Sequence, residues 1–391
     1  MPSVLLPAAV LISLAAGALS TSPHSTHHKA STSSPVSSPV SSPVSSSVSS
    51  SVSSSGARAT SGRNPLAGRP WGTYEGPQEM AWAPYVNATG RHKKLLGYIA
   101  LAPKAKWFGA WIPNNQIAQR VQEYVANAQA GDPSTLVQMT VFRMVPWEQA
   151  ACSRLPTRAE RASYKTWIDR FAGAVGSAHA AIVLQPDGPF ALCAPHGSKV
   201  PSKLVAYAAK VLSAQPHTSV YVEAGAADWP HAGAQGGVHA AVRILVHGGI
   251  RHAHGFALNS THFDSTTAEV ARAAAIARAL ARKGFPGRTA VINTSTNGHP
   301  YEYGAYTGRD PDNPKVCGSR TTPASRTCAT LGIPPTAHSA AHRWGLSAAT
   351  DRLARKYVDG YLWIGRPWLY RQNQPFVTKR ALQLVRTTPW R

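Results

Sequence analysis

Apolar runs recur along this chain from about residue 179, and each stops abruptly at polar residues. HAAIVLQPD (179–187), TSVYVEAG (218–225), HGFALNST (254–261), RTAVINTS (288–295) and DGYLWIGRP (359–367) have the length and the β-branched or aromatic content of buried strands. Between them lie segments with apolar residues at helical spacing, namely SKLVAYAAKVLSA (202–214), HAAVRILVHGG (239–249) and TTAEVARAAAIARALARKG (266–284). The last opens with Thr266 and Glu269 in capping-box spacing and ends at Gly284, with Pro286 beyond. Strand and helix alternate at the spacing of βαβ units, which predicts a parallel sheet. A closed barrel and an open doubly wound sheet both satisfy that pattern. No GxGxxG follows any of the strands, which counts against dinucleotide binding.

The polar residues that stop each run carry the chemistry. Asp187 ends the first strand. Glu223 ends the second, with Asp228 and Trp229 in the loop beyond it. Asn259, Ser260 and His262 end the third, Asn293, Thr294, Ser295 and Asn297 the fourth, and Trp363 and Arg366 the last. In parallel α/β folds these C-terminal strand ends converge on one face, so residues far apart in sequence are expected in one cleft. Carboxylates and amides hydrogen-bond hydroxyl groups, and indole faces stack on sugar rings. The composition is that of a carbohydrate site. There is no GxSxG elbow and no HExxH, and RHAHG (251–255) reads as solvated loop, so neither a serine triad nor a metal site is expected. No cofactor is implied.

The N-terminal 62 residues have a different texture. VLLPAAVLISLAAGALS (4–20) is an apolar stretch ending in small residues, the pattern of a signal peptide over residues 1–20, although only Met1, Pro2 and Ser3 precede it. Residues 21–62 are dominated by Ser, Pro, Thr and Val with a repeated SSPV unit, too poor in apolar surface to offset their ordering entropy. They are expected to be a disordered linker before a folded domain at 63–391. Cys152, Cys193, Cys317 and Cys328 form no CxxC pair, and an even count in an exported chain favours two disulfides. Lys and Arg outnumber Asp and Glu by 40 to 17, a net charge of +23. That excess predicts electrostatic attraction to anionic cell-wall polymers. The basic residues are dispersed and no nucleic-acid-binding motif is present, so nucleic acid is not expected as a partner, and the chain is expected to act as a monomer.

From about Trp107 to Pro375 these residues resemble glycoside hydrolase family 6, the inverting cellobiohydrolases and endo-β-1,4-glucanases. VLQPDGPFALC is similar to the family strand ending Glu-Pro-Asp, VYVEAGAADW to the strand ending Asp-Ala-Gly with a Trp close behind, and GFALNSTHF and VINTSTNG to two strands with Asn-rich ends. GYLWIGRP is similar to the strand carrying the family's Trp, and SYKTWIDRFA (163–172) to the helix before the catalytic strand. The resemblance implies a distorted, TIM-like α/β barrel of seven parallel strands. It implies a secreted hydrolase of β-glucan, with β-1,4 linkages foremost, and a polysaccharide or oligosaccharide substrate. Asp187 falls on the proton donor, Trp107, Trp229 and Trp363 on sugar-stacking positions, and Asn259 on a hydroxyl-binding one; Arg366 is taken with them as substrate-binding. The resemblance also implies a Cys152–Cys193 disulfide and leaves Cys317 to pair with Cys328.

The departures fall at the site itself. Phe142 stands where the family has Tyr, Gln185 where it has Glu, and Glu223 where it has Asp. The family's second acidic motif becomes VFRMVPWEQAAC, with no Asp before Cys152 and Glu148 as its one nearby carboxylate. In GRPWLYRQ, Gly365, Leu369 and Arg371 replace a Lys, a Glu and the proposed catalytic Asp. Glu148, Glu223, Asp228 and Asp264 are therefore the candidates to act as base or to modulate the acid. The alternative reading is a glycan binder of altered specificity, without turnover, on the same barrel.

Overall fold

The computed structural model describes residues 64–147 and 150–391. The signal segment 1–20, the linker 21–62 and Glu148 lie outside the described residues. Seven strands are present among them, β1 (Lys106–Gly109), β2 (Val137–Phe142), β3 (Ala180–Leu184), β4 (Thr218–Glu223), β5 (Gly255–Leu258), β6 (Thr289–Asn293) and β7 (Val358–Leu362). Every neighbouring pair is parallel and the spatial order follows the chain from β1 to β7. A doubly wound sheet reverses its order at a switch point. This sheet never does, so all crossovers lie on one side and the sheet curls into a barrel wall. No ladder joins β7 to β1. The seam is held instead by Ala105 N donating to Trp363 O at 3.0 Å and Trp107 Nε1 donating to Ile364 O at 2.7 Å. The result is the distorted seven-stranded α/β barrel.

The helices are α1 (Trp82–Val86), α2 (Gly90–Ala100), α3 (Ile117–Gln129), α4 (Arg158–Val175), α5 (Val200–Leu212), α6 (Gly237–His247), α7 (Thr266–Arg282), α8 (Ala348–Tyr357) and α9 (Thr378–Thr387). The five strands marked by apolar runs all form within their expected segments. They read as continuous apolar stretches because both faces are covered. Alternate residues still divide. Ala180, Ile182 and Leu184 face the helices together with Val220, Val222, Phe256, Leu258 and Ile292, while Ala181, Val183, Tyr221, Ala257 and Val291 pack inside the barrel with Trp107 and Leu362. Strands β1 and β2 lack such runs. β1 has four residues, and β2 places the buried polar Gln138 and Thr140 between apolar neighbours.

The lower end of the barrel is closed by a polar knot. The buried Asp359 accepts from Tyr221 Oη at 2.8 Å and Thr289 Oγ1 at 2.6 Å, and His254 Nε2 lies 3.1 Å from the same oxygen. His254 therefore departs from the solvated-loop reading of RHAHG. Helix α7 also differs from expectation in one respect. Its N-cap is Ser265, whose hydroxyl accepts from Ala268 N, so Thr266 is the first helical residue and the Thr266–Glu269 capping box does not form. Glu269 is thereby released toward the strand ends. Two disulfides are formed, Cys152–Cys193 and Cys317–Cys328. The first ties the segment after β2 to the turn after β3.

Candidate active site

The chain leaves β3 through two left-handed residues, Gln185 (φ 57°) and Asp187 (φ 60°), flanking Pro186. Such conformations cost energy in a non-glycine residue and persist where the surroundings fix them. Here Trp147 Nε1 donates to Pro186 O at 2.9 Å, and Met144 N donates to Gln185 Oε1 at 3.3 Å. Gly188 follows, and a Cβ there would meet Glu223 O at 2.2 Å, so only glycine lets the turn press against the end of β4. Asp187 is thus held at the strand end, 8% exposed. Burial pushes its carboxyl above the usual range and the negative charge of Asp312 adds to that, against the Thr261 hydrogen bond and the charge of His262. Thr261 Oγ1 donates to Asp187 Oδ1 at 2.7 Å.

Thr261 comes from the end of β5, where Asn259 sets the turn with φ 66°. Its side chain is consumed locally, with Nδ2 donating to Asn293 O at 3.1 Å and Oδ1 accepting from Asp264 N at 3.3 Å. Asn293 Nδ2 returns a bond to Asn259 O at 2.8 Å. These amides lock the ends of β5 and β6 together and present Ser260, Thr261 and His262 in succession. Ser260 Oγ donates to Glu223 Oε2. Glu223 points into the barrel, 2% exposed, and burial raises its pKa to about 8.

A second group of carboxyls lies beside this pair. Asp228 Oδ1 is 2.7 Å from His262 Nδ1, and its Oδ2 accepts from Tyr303 N at 2.7 Å. Burial alone would raise Asp228, but the hydrogen bond and charge of His262 and the donors around it hold it well below the usual range. The neighbouring Asp264, buried and facing that charge, is pushed up to about 10. Glu269, fully buried with Oε1 on Ala227 N at 2.7 Å, is raised well above its ordinary value. At neutral pH one ionised carboxylate, Asp228, therefore sits among protonated ones. Trp229 stacks on His262 at 5.2 Å between centroids, and Tyr303 stacks on His262 at 4.9 Å. Asp228, His262 and Asp264 bring their ligand atoms within 4.8 Å of one another, but the aspartates are already committed to His262, to Tyr303 N and to Asp228 N.

The structure brings Asp187, Glu223, Asp228, Asp264 and Trp229 together, and it gives Trp363, Trp107, Arg366 and Asn259 partners within the protein. Trp363 is 1% exposed, packed against Tyr98 and Trp368 with its indole N–H on Ile333 O, so it is a core residue. Trp107 is 9% exposed, and the Arg366 guanidinium lies 4.4 Å over its ring, which engages both. Asn259 is 1% exposed with its amide spent on backbone groups. Sequence reasoning missed Thr261, Tyr303 and Asp312, whose Oδ1 accepts from Tyr303 Oη at 2.8 Å. It also missed Trp111, 57% exposed just beyond β1. RDPDNP (309–314) was the available signal, since it concentrates two acids in a chain with 17.

Comparison with known proteins gives a consistent picture. The model of the family described as glycosyl hydrolases family 6 matches residues 72–367. Endoglucanase 1 of Streptomyces halstedii is 28% identical over 237 residues, covering 58% of this chain and 70% of that enzyme. Endoglucanase A of Cellulomonas fimi is 30% identical over 230 residues, and there the match spans 47% of the relative's length. Among solved structures, the endoglucanase Cel6 of Mycobacterium tuberculosis, in complex with methyl-cellobiosyl-4-deoxy-4-thio-β-D-cellobioside, is 27% identical with a TM-score of 0.62, covering 82% of this chain and 98% of that one. Cellobiohydrolase II of Humicola insolens, in complex with glucose and cellotetraose, has a TM-score of 0.59 at 17% identity, covering 83% and 99%; that is a likeness of fold.

Proposed function

Because the chain belongs to glycosyl hydrolase family 6, and is a glycosidase acting on β-glucan, we propose that it cleaves β-1,4 linkages with inversion, Asp187 donating the proton. The observation that carries this reading is a carboxyl held at the end of β3, nearly buried and shifted toward its protonated form, with one oxygen bound by Thr261. A general acid must keep its proton until the leaving oxygen needs it, and a raised pKa does that. Thr261 fixes Oδ1 and leaves Oδ2 to hold the proton. Inversion then needs a water on the opposite face of the sugar and a second carboxylate about 6.5–9.5 Å from the acid.

Trp229, stacked on His262, and the exposed Trp111 supply aromatic surface for glucose rings. The cello-oligosaccharide complexes of the family 6 structures support this substrate class. Two disulfides fit an oxidising compartment, so we place the protein outside the cell. The +23 charge, including Arg352, Arg355 and Lys356 on α8, would hold it at anionic wall polymers.

The test is Asp187→Asn. Hydrolysis of unactivated cello-oligosaccharides is expected to fall by about 10²–10⁴-fold, while binding by calorimetry persists. The wild-type product should appear first as the α anomer in proton NMR. Full activity of the variant on such substrates would overturn the assignment.

A further inference from the structure

Four of the carboxyls around Asp187 are poor bases by their surroundings. Glu223 is 2% exposed and bound to Ser260, and Glu269 is completely buried. Asp264 is 5% exposed against Asp228, and Asp228 has both oxygens occupied, by His262 and by Tyr303 N. The loop after β7, where the family's base is expected, carries Arg371. What that loop does instead is informative. Arg371 (φ 48°) and Gln372 (φ 55°) form two consecutive left-handed residues. Gln372 Nε2 donates to Thr261 O at 3.3 Å, and Thr261 is the residue whose hydroxyl holds Asp187. Arg371 Nε donates to Asp310 Oδ2 at 2.7 Å.

A second path runs to the same segment. His262 follows Thr261 and binds Asp228; Asp228 accepts from Tyr303 N; and Tyr303 Oη donates to Asp312 Oδ1 at 2.8 Å. Residues 310–312 are thus tied to the Asp187 turn from two sides, and the charge of Asp312 is felt at Asp187. Asp310 is engaged by a guanidinium. Asp312 is only partly buried, and among the described residues its Oδ2 accepts no bond, so it is open to water.

We propose that Asp312, presented by the loop between β6 and α8 and held by Tyr303, is the catalytic base that replaces the carboxylate lost after β7. This rests on the acid role of Asp187. In the step, the water oxygen bonds to the anomeric carbon as the bond from that carbon to the glycosidic oxygen breaks. The leaving oxygen takes the Asp187 proton, and Asp312 takes a proton from the attacking water. The two carboxyls exchange protonation states, and solvent restores them.

The experiment uses the full chain with two substrates, an unactivated cello-oligosaccharide and 2,4-dinitrophenyl β-cellobioside, whose leaving group needs no proton. Asp187→Asn should lose the first activity and keep most of the second; if it keeps both, the acid reading fails and the base proposal falls with it, whereas failure of the Asp312 variants alone overturns only the base. Asp312→Ala should lose about 10²–10⁴-fold on both, and azide should restore turnover of the aryl substrate with α-cellobiosyl azide as product. Retained activity, or loss without azide rescue, overturns the proposal, as does azide rescue of Asp310→Asn in place of Asp312→Ala. A second variant guards against a folding defect. Asp312→Asn keeps the shape and the hydrogen bond from Tyr303 Oη, and should show the same loss and the same azide rescue as Asp312→Ala. Near wild-type activity of Asp312→Asn overturns the assignment too.

Discussion

Thr261→Val isolates the one hydrogen bond that the Asp187 side chain makes among the described residues. Valine keeps the shape of threonine and deletes the hydroxyl that donates to Oδ1 at 2.7 Å. Hydrogen bonds to charged groups contribute about 1.5–3 kcal/mol, and one pKa unit corresponds to about 1.4 kcal/mol. The neutral carboxyl also accepts from the hydroxyl, though more weakly, so the net shift is about one unit. Its sign follows from which form loses more. The carboxylate loses its donor, so Asp187, already raised by burial, keeps its proton to still higher pH. The alkaline limb of kcat/KM on a cello-oligosaccharide reports deprotonation of the acid in the free enzyme. It should move up by about one pH unit, with the plateau reduced less than tenfold. Glu223, with a pKa of about 8, also titrates in this region, so the measurement is repeated in a Glu223→Gln background. With 2,4-dinitrophenyl β-cellobioside the limb should be absent in both proteins. A limb that stays within about 0.3 unit, or moves down, would refute a role for Thr261 in setting the acid.

Glu223→Gln should stabilise the protein in a pH-dependent way. The glutamate stays neutral when folded up to about 8 against its ordinary value of 4.5, so its favourable state is fully present below 4.5 and is lost as pH rises toward 8. The advantage of the variant should grow by up to about 1.4 kcal/mol per pH unit across that window; equal urea midpoint shifts at pH 5 and pH 8 would contradict the burial argument. Asp359→Ala leaves Tyr221, Thr289 and His254 without their shared acceptor at the bottom of the barrel. Chemical denaturation should show a loss of about 2–4 kcal/mol, smaller for Asp359→Asn, with kcat/KM unchanged per folded molecule; a loss under about 1 kcal/mol would mean the knot contributes little.

The sequence by itself determined the strands β3 to β7, because burial on both faces of a parallel sheet writes a continuous apolar run that needs no partner to be read. It determined the place of Asp187 too, since a carboxylate that stops such a run must stand at a strand end, and parallel strand ends converge. The resemblance implied seven strands, but no strand motif marked β1 or β2, whose own patterns are weaker. Tertiary structure decided what each polar or aromatic residue does once there. Trp107, Trp229 and Trp363 look alike in sequence, but only packing separated the covered indole of Trp363 from the partly exposed Trp229. Glu269 was spaced as a helix cap, and a one-residue shift of the cap to Ser265 sent it to the site. The partners of Asp187 are the deeper case. Thr261 is 74 positions away, and Tyr303 and Asp312 sit in a loop with neither helical nor strand periodicity. A hydrogen bond across that separation leaves no periodic trace in the chain; it exists only because the barrel closes distances that sequence spacing does not encode.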